Sequence, residues 1–103
     1  ATEGADPAWF AFPITVRSNA GFKRTELTMF IEDHKIQTRN YFGGNILLQP
    51  AYTHLAEGNP VTKYPNATMT TISTFFLGTS PVVTDEQIDY ISTVIDKFFK
   101  EKL

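Results

Sequence analysis

The chain has 103 residues, a formal net charge of −2 and 42% hydrophobic residues, so its length and composition indicate one folded domain with its own core. It contains no cysteine, which excludes disulfides, thiolate zinc sites and iron–sulfur ligands within the chain. Its basic residues are scattered, and it has neither a long apolar run nor a signal-peptide pattern, so we expect a cytoplasmic protein without nucleic-acid or membrane partners.

The N-terminal part predicts an extended terminus followed by a strand. Residues 1–8 are small and acidic, so we expect a linker or disordered terminus there and a single α+β domain over residues 9–103. Aromatic and β-branched residues favour a strand over residues 9–16. One face of that strand would carry Phe10, Phe12, Ile14 and Val16. Pro13 has no N–H to donate, so the strand is expected to lie at a sheet edge or to carry a bulge.

The middle of the chain predicts a helix, a short strand and a loop. Apolar residues recur at helical spacing over residues 23–34, which indicates a helix. A short strand over residues 36–40 and a loop over residues 41–45 are expected next. Because proline suits the first turn of a helix, a short helix is expected near residues 50–54.

The C-terminal part predicts a helix, a strand and a long closing helix. Prolines and a glycine make residues 57–65 a surface connection, a short helix is expected near residues 66–72, and Thr74–Gly78 resembles a strand. Thr84 and Gln87 have the spacing of a capping box, followed by an apolar stripe at helical intervals. These elements predict a two-layer α+β domain with a short, mostly antiparallel sheet and helices on one face.

A segment just after the first predicted helix carries the best candidate binding residues. Arg39 offers a planar fork for carboxylate or phosphate oxygens. Tyr41 and Phe42 offer flat faces, and Asn45 can both donate and accept hydrogen bonds. These residues are candidates for binding a ligand. The alternative for Arg39 is a surface ion pair with a carboxylate such as Asp33.

The other polar residues lack the spacing of a catalytic or metal site. His34 and His54 have no carboxylate at a metal-binding interval, and adjacent acids on a helix point in different directions. Gly43 and Gly44 lack the pattern of a phosphate-binding loop and predict a tight turn instead. No catalytic, cofactor-binding or metal-binding residue is therefore predicted in this chain.

Several motifs, in order and spacing, resemble a known family. They are WFAFPITV, a helix ending in HKIQTR, then NYFGGN, QPAY, FFLGTSP and the closing helix TDEQIDYISTVIDKFF. Together they resemble the C-terminal domain of DegT/StrS-type nucleotide-sugar aminotransferases and dehydrases, which depend on pyridoxal phosphate (PLP). Within that family the chain looks like the CDP-4-keto-6-deoxyglucose 3-dehydrase branch, which serves lipopolysaccharide O-antigen deoxysugar biosynthesis.

The resemblance implies a fragment of a longer, homodimeric enzyme of fold type I. A large N-terminal domain, missing here, would hold PLP or pyridoxamine phosphate (PMP), and the active site would form between the two domains. Arg39, Tyr41, Phe42 and Asn45 would lie near the nucleotide-sugar pocket. The lysine or histidine of the PLP chemistry would belong to the missing domain, so the isolated chain is expected to be inactive and to bind no cofactor.

One departure from the family pattern keeps the reaction open. CDP-sugar dehydrases of this type tend to carry an Asp-Arg pair where this chain has Thr68-Met69. Dehydration at carbon 3 of the sugar is the first reading, and transamination of a keto sugar is the second. A third reading is a free-standing α+β interaction module that uses the aromatic loop and an exposed strand edge as its partner surface.

Overall fold

The computed structural model describes residues 1–102 as a three-stranded sheet with helices. The strands pair antiparallel in the order β1-β3-β2, which confirms the predicted α+β class. The 3₁₀ turns Ile46–Leu48 and Thr53–Leu55 lie between β2 and α2. The helices and strands are β1 (Ala11–Thr15), α1 (Arg24–Asp33), β2 (Arg39–Asn40), α2 (Pro60–Lys63), α3 (Pro65–Ser73), β3 (Thr74–Gly78) and α4 (Asp85–Lys102).

The core lies between one face of the sheet and helices α1 and α4. Successive residues of a strand point to opposite faces, so Phe75 and Leu77 face the core while Phe76 faces the other side. Phe75 and Ile31 are fully buried. The remaining core side chains are Val16, Leu27, Ile36, Val94 and Phe98. Phe76 lies on the second face of the sheet, outside this core.

Strand β1 is shorter than predicted, and this changes the position of Phe10. The strand lies at an edge of the sheet, as Pro13 predicted, and Phe12 stands opposite Leu77 on the core side. Phe10 precedes the strand, and its ring centroid lies 6.0 Å from that of Phe76 on the other side. The prediction that Phe10 and Phe12 share a face is wrong, because alternation holds only within the strand.

A sharp turn after α1 shortens strand β2. The Ile36 N–H donates to the Ile31 carbonyl at 3.0 Å, and Lys35 has a φ of 64°, as in a Schellman C-cap. Ile36 is buried in the core, so the chain needs residues 36–38 to return to the sheet. The strand predicted over residues 36–40 therefore forms only at Arg39–Asn40.

The connection between β2 and α3 contains helical turns in places that the sequence did not indicate. The short helix predicted near residues 50–54 does not form as an α-helix. One 3₁₀ turn, Ile46–Leu48, precedes that segment, and a second, Thr53–Leu55, overlaps only its last two residues. The predicted surface connection over residues 57–65 contains helix α2. The Asn59 side chain accepts a hydrogen bond from the Val61 N–H at 3.0 Å and caps this helix, with Pro60 in its first turn.

The C-terminal elements agree closely with the sequence. Helix α3 and strand β3 form where they were predicted. The Thr84 N–H donates to Gln87 Oε1 at 3.0 Å and the Gln87 N–H donates to Thr84 Oγ1 at 3.3 Å, which confirms the capping box. Helix α4 buries Val94 and Phe98. None of the helices in residues 1–102 combines the length and the apolar composition that a membrane span needs.

The Glu26 carboxylate gives the fold a dependence on pH. It accepts a hydrogen bond from Lys102, near the end of α4, and another from the Lys23 N–H at 2.8 Å. These two bonds, that from Lys102 first, lower the pKa of Glu26. A lowered carboxyl pKa stabilises the fold above the ordinary pKa, and this contribution is lost as the pH falls through the lowered value.

We therefore expect Glu26→Gln to lower the urea midpoint slightly at neutral pH, because the ion pair is exposed. The difference from the wild type should vanish in acid. Urea titrations of both chains at several pH values measure this, and a difference that is the same at every pH would contradict it.

Candidate functional site

A cleft of about 690 Å³ lies beside strand β2, and Arg39 forms part of its wall. Arg39 stands opposite Phe76 in the antiparallel ladder, so both side chains lie on the sheet face turned away from the core. The rest of the wall comes from the residues before β1, the turn after α1, the end of β3 with the segment that follows it, and the first turns of α4. These residues are Trp9, Phe10, Lys35, Ile36, Gln37, Leu77, Gly78, Thr79, Ser80, Pro81, Val83, Gln87, Tyr90 and Ile91.

The charge in this cleft is positive. Lys35 and Arg39 line it, and no Asp or Glu of residues 1–102 does. In this described part of the chain Arg39 makes no ion pair, so the alternative that it pairs with Asp33 is wrong. An exposed guanidinium without a carboxylate partner retains all its donors for an incoming anion. The cleft therefore suits a phosphate or carboxylate group beside flat apolar surfaces.

Aromatic rings cover the sheet face next to Arg39. The Phe42 ring centroid lies 5.6 Å from that of Phe76 and 6.1 Å from that of Phe10, and the Tyr41 ring packs against Phe42 at 5.4 Å. Phe10 remains 73% exposed and Phe42 69% exposed. We call Phe10, Tyr41, Phe42 and Phe76 the aromatic cluster. Phe76 is buried, but the exposed rings of Phe10, Tyr41 and Phe42 offer stacking surface to a ligand or a protein partner.

Asn45 lies next to the aromatic cluster in sequence, but its side chain points inward. It is only 3% exposed. Its Nδ2 donates to the Pro60 carbonyl at 3.0 Å and to Thr68 Oγ1 at 3.2 Å, while its Oδ1 accepts from the Leu47 N–H at 3.2 Å. Both amide hydrogens are thus used within the fold, so Asn45 has no side-chain donor left for a ligand.

The two glycines of the loop have different environments. Gly44 has a φ of 59°, and a Cβ built on it would lie 2.2 Å from Thr71 Oγ1 and 2.9 Å from Thr71 Cα. A Cβ on Gly43 would meet no atom within 4 Å. Phe42, with a φ of 51°, also lies in the left-handed region, which is rare for a bulky side chain. The predicted tight turn therefore depends on Gly44 rather than on the pair.

The two histidines lie apart from the cleft. The His34 Nδ1–H donates to the Phe30 carbonyl at 2.7 Å at the end of α1, and Lys97 Nζ donates to His34 Nε2 at 3.3 Å. His54 is exposed on a 3₁₀ turn. Across residues 1–102, no three His, Asp or Glu side chains gather as metal ligands do.

Sequence reasoning missed the residues that hold the loop in place. Thr68 and Thr71 contact Asn45 through their hydroxyl groups, and Arg24 Nη1 donates to the carbonyls of Thr71 and Thr74 at 3.0 and 3.2 Å. Thr71 lies 26 residues beyond Asn45 and Arg24 lies 47 residues before Thr71. No local periodicity reports contacts across such separations, so only the tertiary structure identifies them.

The donor set of the cleft does not fit the PLP that the resemblance implies for a parent enzyme. PLP needs an acidic partner for its pyridine nitrogen, and over residues 1–102 no carboxylate lines this cleft. We therefore assign these residues no part in PLP chemistry. What the cleft offers is a cationic edge and aromatic surface for binding.

Comparison with known proteins adds the family. Residues 1–96 match the DegT/DnrJ/EryC1/StrS aminotransferase family. The chain is 37% identical over 99 residues to lipopolysaccharide biosynthesis protein RfbH of Salmonella typhimurium strain LT2, which covers 96% of this chain and 22% of the relative. It is 40% identical over 98 residues to dTDP-4-dehydro-2,6-dideoxy-D-glucose 3-dehydratase of Saccharopolyspora spinosa, covering 95% of this chain and 21% of the relative.

The chain thus spans about a fifth of the length of these relatives. The family match runs through both sheet edges, the Arg39 segment and most of helix α4, so it includes the whole candidate site. This confirms the resemblance that the motifs indicated. The chain belongs to the DegT/DnrJ/EryC1/StrS aminotransferase family.

Proposed function

We propose that this chain is the C-terminal domain of a longer PLP- or PMP-dependent nucleotide-sugar 3-dehydrase of deoxysugar biosynthesis, and that it forms one wall of the sugar pocket. The observation that carries the proposal is the exposed Arg39, which has no ion-pair partner within residues 1–102 and lines a cleft free of carboxylates there. An N-terminal domain would supply PLP or PMP, the electron sink for the sugar chemistry, and the parent enzyme would act as a homodimer.

The names of two relatives support the choice of reaction. One is a lipopolysaccharide biosynthesis protein and the other is a 3-dehydratase of a dTDP-linked dideoxy sugar. The second name favours dehydration over transamination. It also names a dTDP sugar rather than the CDP sugar of the branch that the motifs resemble, so the nucleotide is best identified by testing both.

In this proposal the candidate residues have different tasks. Arg39 binds the phosphate or sugar oxygens of the nucleotide sugar, because its fork matches two oxygens at once. Tyr41 and Phe42 offer ring faces to the sugar or the base. Asn45 acts indirectly, because its buried amide is already bonded inside the fold and fixes the end of the loop.

The second candidate is a keto-sugar aminotransferase, which the description of the matched family favours. The same wall would serve either reaction, because binding of the nucleotide sugar does not depend on the bond that is later changed. A free-standing interaction module is the third. The exposed aromatic cluster would suit a partner protein, but a chain that spans a fifth of its relatives' length favours a domain of a larger enzyme.

The test is Arg39→Ala in the full-length enzyme encoded by the complete reading frame. A charge-assisted hydrogen bond contributes about 1.5–3 kcal/mol, so kcat/KM for the nucleotide sugar should fall about 10- to 100-fold. The absorbance of bound PLP should not change, because Arg39 does not contact the cofactor in this proposal. Steady-state kinetics with dTDP and CDP sugars, together with absorbance spectra, measure both effects.

Arg17→Ala is the matched control. Arg17 is also an exposed arginine, two residues after the end of β1, but it lies outside the cleft. Its removal should leave kcat/KM unchanged. An Arg39→Ala enzyme with wild-type kcat/KM would show that the cleft is not part of the sugar pocket.

A further inference from the structure

We propose that the Thr71 hydroxyl is a positioning group for the loop of residues 41–44, which carries the rings of Tyr41 and Phe42. The hydroxyl determines the shape of the loop without touching a ligand itself. The significance for substrate binding rests on the function proposed above, in which these rings face the sugar pocket. The structural part of the inference stands on contacts within the chain.

The Thr71 hydroxyl is held in a defined geometry by two hydrogen bonds. Thr71 Oγ1 accepts a hydrogen bond from the Asn45 N–H at 2.6 Å and donates to the Ala67 carbonyl at 2.8 Å. Because the donated bond fixes the direction of the O–H, the lone pairs point to a defined place. The backbone of Gly44 passes so close that even a methyl group would overlap Thr71 Oγ1. The loop therefore rests directly on this hydroxyl.

The loop of residues 41–44 needs an external support. Tyr41, Phe42 and Gly43 are all exposed, and Phe42 adopts a φ of 51°. A bulky residue holds such a conformation only when its surroundings impose it. The Phe42 N–H donates to the Asn40 carbonyl at 2.7 Å, which tightens the loop further. At the C-terminal end of the loop, the hydrogen bond from the Asn45 N–H to the Thr71 hydroxyl anchors the chain.

Thr71 is itself held from the opposite side. Arg24 Nη1, on helix α1, donates to the Thr71 carbonyl at 3.0 Å and to the Thr74 carbonyl at 3.2 Å. The end of α3 is thereby tied to α1. The side-chain amide of Asn45 bridges the Thr68 hydroxyl and the Pro60 carbonyl in the same region. Thr71 thus connects the rigid core to the exposed aromatic loop.

The test compares Thr71→Val with Thr71→Ser in the 103-residue chain. Valine keeps the branched shape but removes the hydroxyl, whereas serine retains it. In Thr71→Val the backbone N–H of Asn45 should exchange with solvent about 3- to 10-fold faster relative to the core backbone amides, as loss of one hydrogen bond implies. The nuclear Overhauser contact between the Phe42 and Phe10 rings should disappear. Thr71→Ser should restore both.

Thr93→Val is the matched control. Thr93 Oγ1 also donates to the carbonyl four residues earlier, at 2.8 Å, but on the exposed side of α4 and far from the loop in sequence. It should leave the exchange of Asn45 and the ring contact unchanged. If Thr71→Val does not fold, the wild-type chain still tests the proposal, because an Asn45 amide without protection would overturn it.

Two results overturn the proposal: a loop in Thr71→Val that is indistinguishable from the wild type, or core and loop amides that accelerate together. In the full-length enzyme, Thr71→Val should raise KM for the nucleotide sugar several-fold with a smaller change in kcat, and Thr71→Ser should restore KM. If the loop changes while KM does not, the proposal that Thr71 positions the loop still holds, and the result counts against the proposed sugar pocket. Arg39→Ala tests that pocket separately.

Discussion

Phe75→Ala is expected to destabilise the domain by about 3–5 kcal/mol. Phe75 is 0% exposed and lies in β3, the central strand of the sheet, where it packs in one cluster with Ile31 of α1 and Phe98 of α4. Alanine would remove the ring and leave a cavity that three separate elements line. Small domains have total stabilities of about 5–15 kcal/mol, so much of the fold's stability would be lost. Urea unfolding followed by circular dichroism measures the change.

Phe12→Ala is the control for this substitution. Phe12 is the same residue type on the neighbouring strand, but it is 60% exposed. Its truncation should cost less than about 1 kcal/mol, as is usual for surface positions. If the two variants lose similar stability, the assigned core between the sheet and helices α1 and α4 is wrong.

Gly44→Ala is expected to have the second largest effect, about 2–4 kcal/mol, from two sources. The φ of 59° is unfavourable for alanine, and the new Cβ would lie 2.2 Å from Thr71 Oγ1 and 2.8 Å from Thr71 Cβ. The backbone of Thr71 is also within 2.9 Å, so the clash cannot be relieved by rotating one side chain. Thermal or urea unfolding of the purified chain measures the loss.

Gly43→Ala separates this explanation from a general effect of changing the loop. Gly43 is adjacent, has no positive φ, and offers open space to a Cβ. Its replacement should change stability by less than about 0.5 kcal/mol. Equal losses for both variants would mean that the loop lacks the close contact between Gly44 and Thr71.

The sequence alone determined the elements whose signals are local. The capping box of Thr84 and Gln87 begins α4, the apolar stripe of α4 meets the core, and Thr74–Gly78 forms the central strand. These signals suffice because capping and periodicity operate within a few residues of the chain. The order and spacing of motifs along most of the chain also indicated the family, since such a comparison needs no tertiary contact.

Elements that depend on distant partners were predicted less well. The strand over residues 36–40 shrank to two residues because the Schellman turn and the burial of Ile36 decide where the chain rejoins the sheet. Phe10 lies on the opposite side of the sheet from that predicted, because the ladder begins only at Ala11. In both places tertiary packing outweighed the local pattern.

The candidate site shows the same division. Residue chemistry alone identified Arg39, Tyr41 and Phe42 as binding candidates, because a guanidinium and aromatic rings have properties that do not depend on the fold. Only the tertiary structure decided that Arg39 makes no ion pair within residues 1–102 and that Asn45 faces inward. Those outcomes depend on which distant residues, such as Thr71, come to lie beside the loop, and a linear sequence does not encode such distances locally.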